Sequence, residues 1–212
     1  MAAYTFFTNP RSRGLIASWA LHEVGADFAV VPVGWGEKPP ALLAANPLGK
    51  VPTLVHHATE GDRVVTEAAA ICTYLAEAHP EARLLPTPAE SGHYHRWLFF
   101  AAGPMEQALM ARMLDWELPA EREGTAGFGS FDRTVAALDA HLSRNSYACG
   151  TRFTMADVYL CSQFDWGLNL KLLPRHDFFV TYAERCHARP AYQAALAADR
   201  ELYRQTRDQG SA

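Results

Sequence analysis

No apolar run in this chain approaches the ~20 residues that a helix needs to cross a bilayer, so no helical membrane span is expected. Positive charge is not in excess. Lys and Arg number 19 against 23 Asp and Glu, a formal net charge of −4. That balance gives no basic face to neutralise phosphates, and nucleic acid is not an expected partner. Cysteine is scarce: Cys72, Cys149, Cys161 and Cys186 are the four, and no two are spaced Cys-x-x-Cys. Such spacing suits neither a zinc site nor a disulfide framework, and reads as reduced thiols in a cytoplasmic protein. His56-His57 and His93-x-His95 come without further ligands at a diagnostic spacing, so no metal is expected. Gly49-Lys50 fails as a phosphate loop, because Val51 stands where Ser or Thr is needed and the upstream glycine is missing. Met1-Ala2-Ala3-Tyr4 has no basic stretch leading into an apolar core, so a secretory signal is not expected. What the chain does have is 49% hydrophobic residues over 212 positions, enough for one large domain or two small ones.

The first 80 residues mix strands and helices. Tyr4 to Thr8 reads as a strand. Ala17, Ala20, Leu21 and Val24 then recur at helical spacing, and Gly25 sits where a helix commonly stops. Phe28 to Val33 is a second strand, which Pro32 confines to a sheet edge because it cannot donate to a ladder. Strand, helix, strand implies a parallel crossover. Ala41 to Ala45 suggests one or two helical turns. Val51 to His56 and Arg63 to Val65 are joined by a tight turn and should pair antiparallel. A helix follows from Thr66, a plausible N-cap, with Ala68, Ile71, Cys72 and Leu75 on one stripe. Pro80 to Pro88 holds three prolines and reads as a linker. Beyond it Phe131, Val135, Leu138 and Leu142 share a helical face and strand alternation is absent. The division expected is 1–80, a linker at 81–90, and an all-helical 91–212. Thr154-Met155-Ala156-Asp157 has the spacing of a capping box, with Phe153 and Val158 as its hydrophobic staple.

Two segments carry the chemistry. One is Asn46-Pro47-Leu48-Gly49-Lys50-Val51-Pro52-Thr53, a turn leading into a strand through a Val-Pro bond. The other is Thr66-Glu67-Ala68, an acidic helix start. Together they resemble the thiol-peptide cradle of the cytosolic glutathione S-transferases, of a bacterial, serine-like type. The resemblance covers nearly the whole chain. It implies an α/β thioredoxin-like N-terminal domain plus an all-α C-terminal helical domain, the glutathione S-transferase fold. It also implies a cis Val51–Pro52 bond, glutathione as co-substrate, a small hydrophobic electrophile as second substrate, and a homodimer.

By that resemblance Glu67 holds the ligand's ammonium, Lys50 meets the glycine carboxylate, and Val51 and Pro52 present backbone to the cysteinyl unit. Ala68 stands where the family usually has serine, so the amide survives and the hydroxyl is lost. Only a thiolate is a good nucleophile, and a free thiol has a pKa near 8.5. Lowering it by about two units needs about 2.7 kcal/mol, which one hydroxyl and one helix N-terminus can supply. Thr8-Asn9-Pro10-Arg11-Ser12-Arg13-Gly14 offers both. Ser12 is the first candidate donor, by its match to a Pro-x-Ser segment. Thr8 is the runner-up, at the position of the tyrosine of other classes, and Asn9 is third. This loop has no cysteine, which disfavours mixed-disulfide chemistry. Met105, Leu109, Arg112, Met113 and Trp116 are candidates for the acceptor pocket, with helix core as the competing reading. The rival functions are a non-catalytic binding or interaction module on the same fold and a glutathione-dependent isomerase.

Overall fold

The computed structural model describes residues 2–209, with side chains through 207. Its four strands are β1 (Tyr4–Thr8), β2 (Phe28–Pro32), β3 (Thr53–Ala58) and β4 (Gly61–Thr66), in the order β2-β1-β3-β4. β1 runs parallel to β2 and antiparallel to β3, and β3 pairs antiparallel with β4. Pro32 lies on the outer strand, where its missing N–H costs no ladder bond. Three helices belong to this part: α1 (Gly14–Glu23), α2 (Pro40–Ala45) and α3 (Ala68–Ala78). Gly25, at φ 63°, closes α1, and the Ala26 N–H reaches back to the Leu21 carbonyl at 3.0 Å. That is the left-handed stop for which glycine is suited.

Three expected boundaries move. Val51 and Pro52 precede β3 and do not belong to it. The hairpin is longer than its apolar core, because the ladder extends to Ala58 opposite Gly61. Thr66 is not the N-cap of α3: it ends β4, and Glu67 takes the cap position with φ 65° and no side-chain capping bond.

The helical region comprises α4 (Ser91–Phe100), α5 (Glu106–Met113), α6 (Phe131–Leu142), α7 (Met155–Asn169) and α8 (Asp177–His187). α4 and α5 are joined through a wider π turn, Ala101–Met105, that accommodates Pro104. The last helix, α9 (Pro190–Gln209), packs on α1. Glu23 at the end of α1 accepts two bonds from the Arg189 guanidinium, each 2.6 Å, and a third from the Trp19 indole at 2.8 Å. The chain therefore forms two compact units: residues up to Ala82 together with those from Arg189 onward, and Arg83–Ala188. This differs from the expected grouping of the whole of 91–212. The expected linker is not loose either. Arg152 donates to the Leu85 carbonyl at 2.7 Å and pairs with Glu90, whose carboxyl is held down at about 2 chiefly by that guanidinium.

The second unit closes on Asp157. Its carboxylate accepts the Thr154 N–H (2.9 Å), the Thr154 hydroxyl (3.2 Å), the Ala148 N–H (2.7 Å) and the Tyr182 hydroxyl (3.0 Å). The capping box is present, and one buried carboxylate ties α7 to α8 and to the preceding loop. Phe153 and Val158, the two residues of the expected staple, are both buried.

Candidate glutathione-binding site

Strand register assembles the site. Thr53 lies opposite Thr66, so the next residues, Pro52 and Glu67, meet at one end of the hairpin, followed by Val51 and Ala68. Thr53 also neighbours β1, where Phe7 is its partner, and Thr8 is the next residue along. Three segments far apart in sequence thus end together at the same edge of the sheet.

The turn before Pro52 is held by a residue to which the motif alone gives no role. Asn46 is buried, and its amide donates to the Lys50 carbonyl and to the Thr53 hydroxyl, both at 3.1 Å. Its Oδ1 accepts the Leu48 N–H at 3.1 Å. The Thr53 hydroxyl in turn donates to the Lys50 carbonyl at 2.9 Å. Gly49 sits at φ 61° in this turn, a conformation that suits glycine. An asparagine ahead of Pro-x-Gly is the signal from which this role was readable, since its side chain can close a turn on its own backbone. The Val51–Pro52 bond is cis. Among the described residues no hydrogen bond engages the Val51 N–H or C=O, and the Lys50 side chain is exposed.

Glu67 is exposed, and its left-handed backbone is rare for a residue with a side chain. Such conformations cost on the order of 1–3 kcal/mol and concentrate at functional sites. Ala68 is buried directly after it, at the N-terminus of α3. The first N–H groups of a helix have no partner within it.

The β1–α1 loop separates the three candidate donors. Asn9 is engaged at both ends of its side chain: its amide donates to the Val33 carbonyl at 2.8 Å and its Oδ1 accepts the Arg11 N–H at 3.0 Å. Ser12 is half-buried. Its hydroxyl donates to the Asn9 carbonyl at 2.7 Å and accepts the Gly14 N–H at 3.0 Å. Thr8 is buried, and its Oγ1 lies only 1.9 Å from where a Cβ on Gly14 would stand. A side chain at 14 would displace the Thr8 hydroxyl and press on the Asn9 carbonyl, 3.1 Å away. Among the described residues no hydrogen bond engages the Thr8 hydroxyl.

The five acceptor-pocket candidates do not share one wall. Met105 and Leu109 are core residues, buried at 0% and 1% exposure. Arg112 and Trp116 line a cavity of about 250 Å³ with Ala108, Phe128 and Phe131, and the Arg112 guanidinium lies 4.3 Å from the Phe131 ring centre. Met113 ends α5. Trp116 lies beyond the helix: Asp115 turns left-handed at φ 52°, and the Trp116 N–H returns to the Ala111 carbonyl at 2.8 Å. That is a helix-terminating motif that periodicity does not show.

Residues 14–78 match the glutathione S-transferase N-terminal domain, and residues 94–190 match the glutathione S-transferase C-terminal domain. The chain is 28% identical over 200 residues to glutathione S-transferase GstA of Escherichia coli O157:H7, covering 91% of this chain and 97% of that one. It is 31% identical over 157 residues to glutathione S-transferase 1 of Dianthus caryophyllus, covering 68% and 67%. A sphingomonad glutathione S-transferase solved in complex with glutathione superposes with a TM-score of 0.73 at 28% identity, over 92% of this chain and 98% of that one. With both domains matched in order and relatives aligned over most of their length, the chain belongs to the glutathione S-transferase family.

Proposed function

We propose that this protein is a glutathione transferase. Glutathione lies along Val51 and Pro52, its ammonium faces Glu67, its γ-glutamyl carboxylate takes the Ala68 amide, and Lys50 meets the glycine carboxylate. The observation that carries this reading is the register that brings Thr8, Pro52 and Glu67 to one end of the sheet, beside a Val51 backbone that no hydrogen bond engages among the described residues. A backbone left open in this way pairs with a peptide as an added strand would.

For the thiol, exposure favours Ser12, which is half-buried where Thr8 is buried. Releasing the Asn9 carbonyl forfeits a neutral hydrogen bond, about 0.5–1.5 kcal/mol, which a bond to a thiolate, about 1.5–3 kcal/mol, offsets. The Thr8 side chain stands against Gly14 in a buried residue. The poised thiolate then attacks a small hydrophobic electrophile. A homodimer and a cytoplasmic location belong to the same proposal, and sedimentation of the purified protein checks the first.

The test is calorimetry with glutathione, followed by an absorbance titration of the bound thiol. The wild type should bind glutathione and lower its thiol pKa. Ser12→Ala should raise that bound pKa by about one to two units. An unchanged pKa in Ser12→Ala together with a raised one in Thr8→Val reassigns the donor to Thr8. Ala68 favours the second reading, a non-catalytic module, because it lacks a hydroxyl for the ligand carboxylate. Binding without any lowering of the thiol pKa supports that reading.

A further inference from the structure

Cys161 and Asp165 are four residues apart on α7 and so share one helical face. His187 is the last residue of α8, which packs against α7. The three ligand atoms, Cys161 Sγ, an Asp165 carboxylate oxygen and a His187 ring nitrogen, all lie within 4.8 Å of one another. His187 Nε2 is 2.5 Å from Asp165 Oδ1. None of these residues belongs to the glutathione site, and none to the histidine pairs that stand out in the sequence. We propose that Cys161, Asp165 and His187 form a binding site for a borderline-soft divalent cation, Zn²⁺ foremost.

Three arguments carry the assignment. The first is donor chemistry. One thiolate, one imidazole and one carboxylate suit Zn²⁺, whereas Mg²⁺ and Ca²⁺ require all-oxygen shells. The second is charge. Thiolate and carboxylate together balance a divalent ion, so the loaded site is neutral and sits in partly buried surroundings without a stranded charge. The third is geometry. Zinc bond lengths of 2.0–2.3 Å place tetrahedral ligands about 3.3–3.6 Å apart. Asp165 and His187, now 2.5 Å apart, reach that spacing by parting about 1 Å, and the Cys161 sulfur lies within 4.8 Å of both.

Binding exchanges protons for metal. A thiol binds a cation as thiolate, so the Cys161 proton leaves when the ion arrives. Exposure is graded from a fully buried Cys161 to a His187 side chain that is 32% exposed, which gives the ion a way in from the surface. Three protein ligands leave the fourth position to water. Cys186 lies against Cys161, outside the set of atoms that converge.

The test uses tag-free full-length protein, stripped of metal and titrated with Co²⁺ in the absence of glutathione. The expected result is one equivalent of Co²⁺ bound, with a thiolate-to-cobalt charge-transfer band in the near ultraviolet and tetrahedral bands in the visible, all lost on adding Zn²⁺. Cys161→Ser should abolish the charge-transfer band. His187→Gln, at a partly exposed position, should weaken Co²⁺ binding at least tenfold while the far-ultraviolet circular dichroism stays that of the wild type. Cys149→Ser, outside the cluster, should leave the spectrum unchanged. A wild type without the charge-transfer band, a band that survives in Cys161→Ser, or unaltered affinity in His187→Gln overturns the proposal. The glutathione calorimetry is a separate measurement, so failure of one reading leaves the other standing.

Discussion

The polar groups around Asp157 and those around Val51 are treated in opposite ways. Asp157 is fully buried, and its carboxylate is met by two backbone N–H groups and two hydroxyls. Val51 offers a backbone N–H and C=O that no described residue takes up, and its neighbour Glu67 holds a conformation with an intrinsic cost. A polar group satisfied inside the protein stabilises the fold. One held rigid and left unmet at the surface is available to a ligand. The two regions should therefore respond to mutation in different currencies, stability for the first and affinity for the second.

The largest effect is expected from Asp157→Ala. It strips partners from four donors, and a buried donor left unmet costs about 1–3 kcal/mol. Partial relaxation brings the expected loss to about 3–5 kcal/mol, read as a lower urea midpoint. Loss of less than 1 kcal/mol would remove Asp157 from its central place. The same residue gives a pH signature. Burial raises its carboxyl from 3.8 to about 6 in the folded protein. The folded state therefore holds the proton more tightly than the unfolded chain. The contribution is fully present below pH 3.8 and falls away as pH rises through about 6. The stability difference between wild type and Asp157→Asn should shift against the wild type by about 3 kcal/mol across that window. A flat difference would mean that the four donors cancel the cost of burial.

Glu67→Gln is expected to do the reverse. Removing the charge proposed to face the ligand ammonium should weaken glutathione binding by about 1.5–3 kcal/mol, or tenfold to a hundredfold. The urea midpoint should hardly move, because Glu67 is exposed and caps nothing. Glu67→Gly sharpens the point. It removes the conformational cost at φ 65° while losing the same affinity, so stability and binding should move in opposite directions.

How far these regions were legible from sequence follows from the range of the forces involved. β1 is predicted and found over Tyr4 to Thr8, because its signal is short and local. Gly25 and the Thr154–Asp157 box are local as well, and both perform the expected task. Thr66 misled because hydroxyl residues are good caps in general, while the ladder continued one residue further than apolar alternation indicated. Nothing in the local sequence marks Glu67 for a positive φ, which is a demand of the site and not of the residue. Long-range pairings were invisible for a different reason. Glu23 and Arg189 are 166 positions apart, and only folding reveals that α9 lies on α1. Cys161 and His187 converge in the same way, through helix packing that no motif spacing encodes. The turn before Pro52 has a local signal in its asparagine and glycine, but how exposed the Ser12 and Thr8 hydroxyls are depends on packing that the loop sequence does not encode.

The smallest expected effect tests the comparison from the ligand's side. Ala68 is buried at the first position of α3, immediately after Glu67. Ala68→Ser adds one hydroxyl where the ligand carboxylate is proposed to lie. In the free protein that hydroxyl exchanges water for neighbouring backbone at little net change, so stability should stay within about 0.5 kcal/mol. With glutathione bound it gains a charged acceptor, and affinity should rise about tenfold. In the double variant Ala68→Ser with Glu67→Gln, the gain and the loss should fall short of additivity, since both residues are proposed to grip the same γ-glutamyl group. Full additivity, or no gain from the serine, would place the carboxylate elsewhere and leave the α3 N-terminus outside the site.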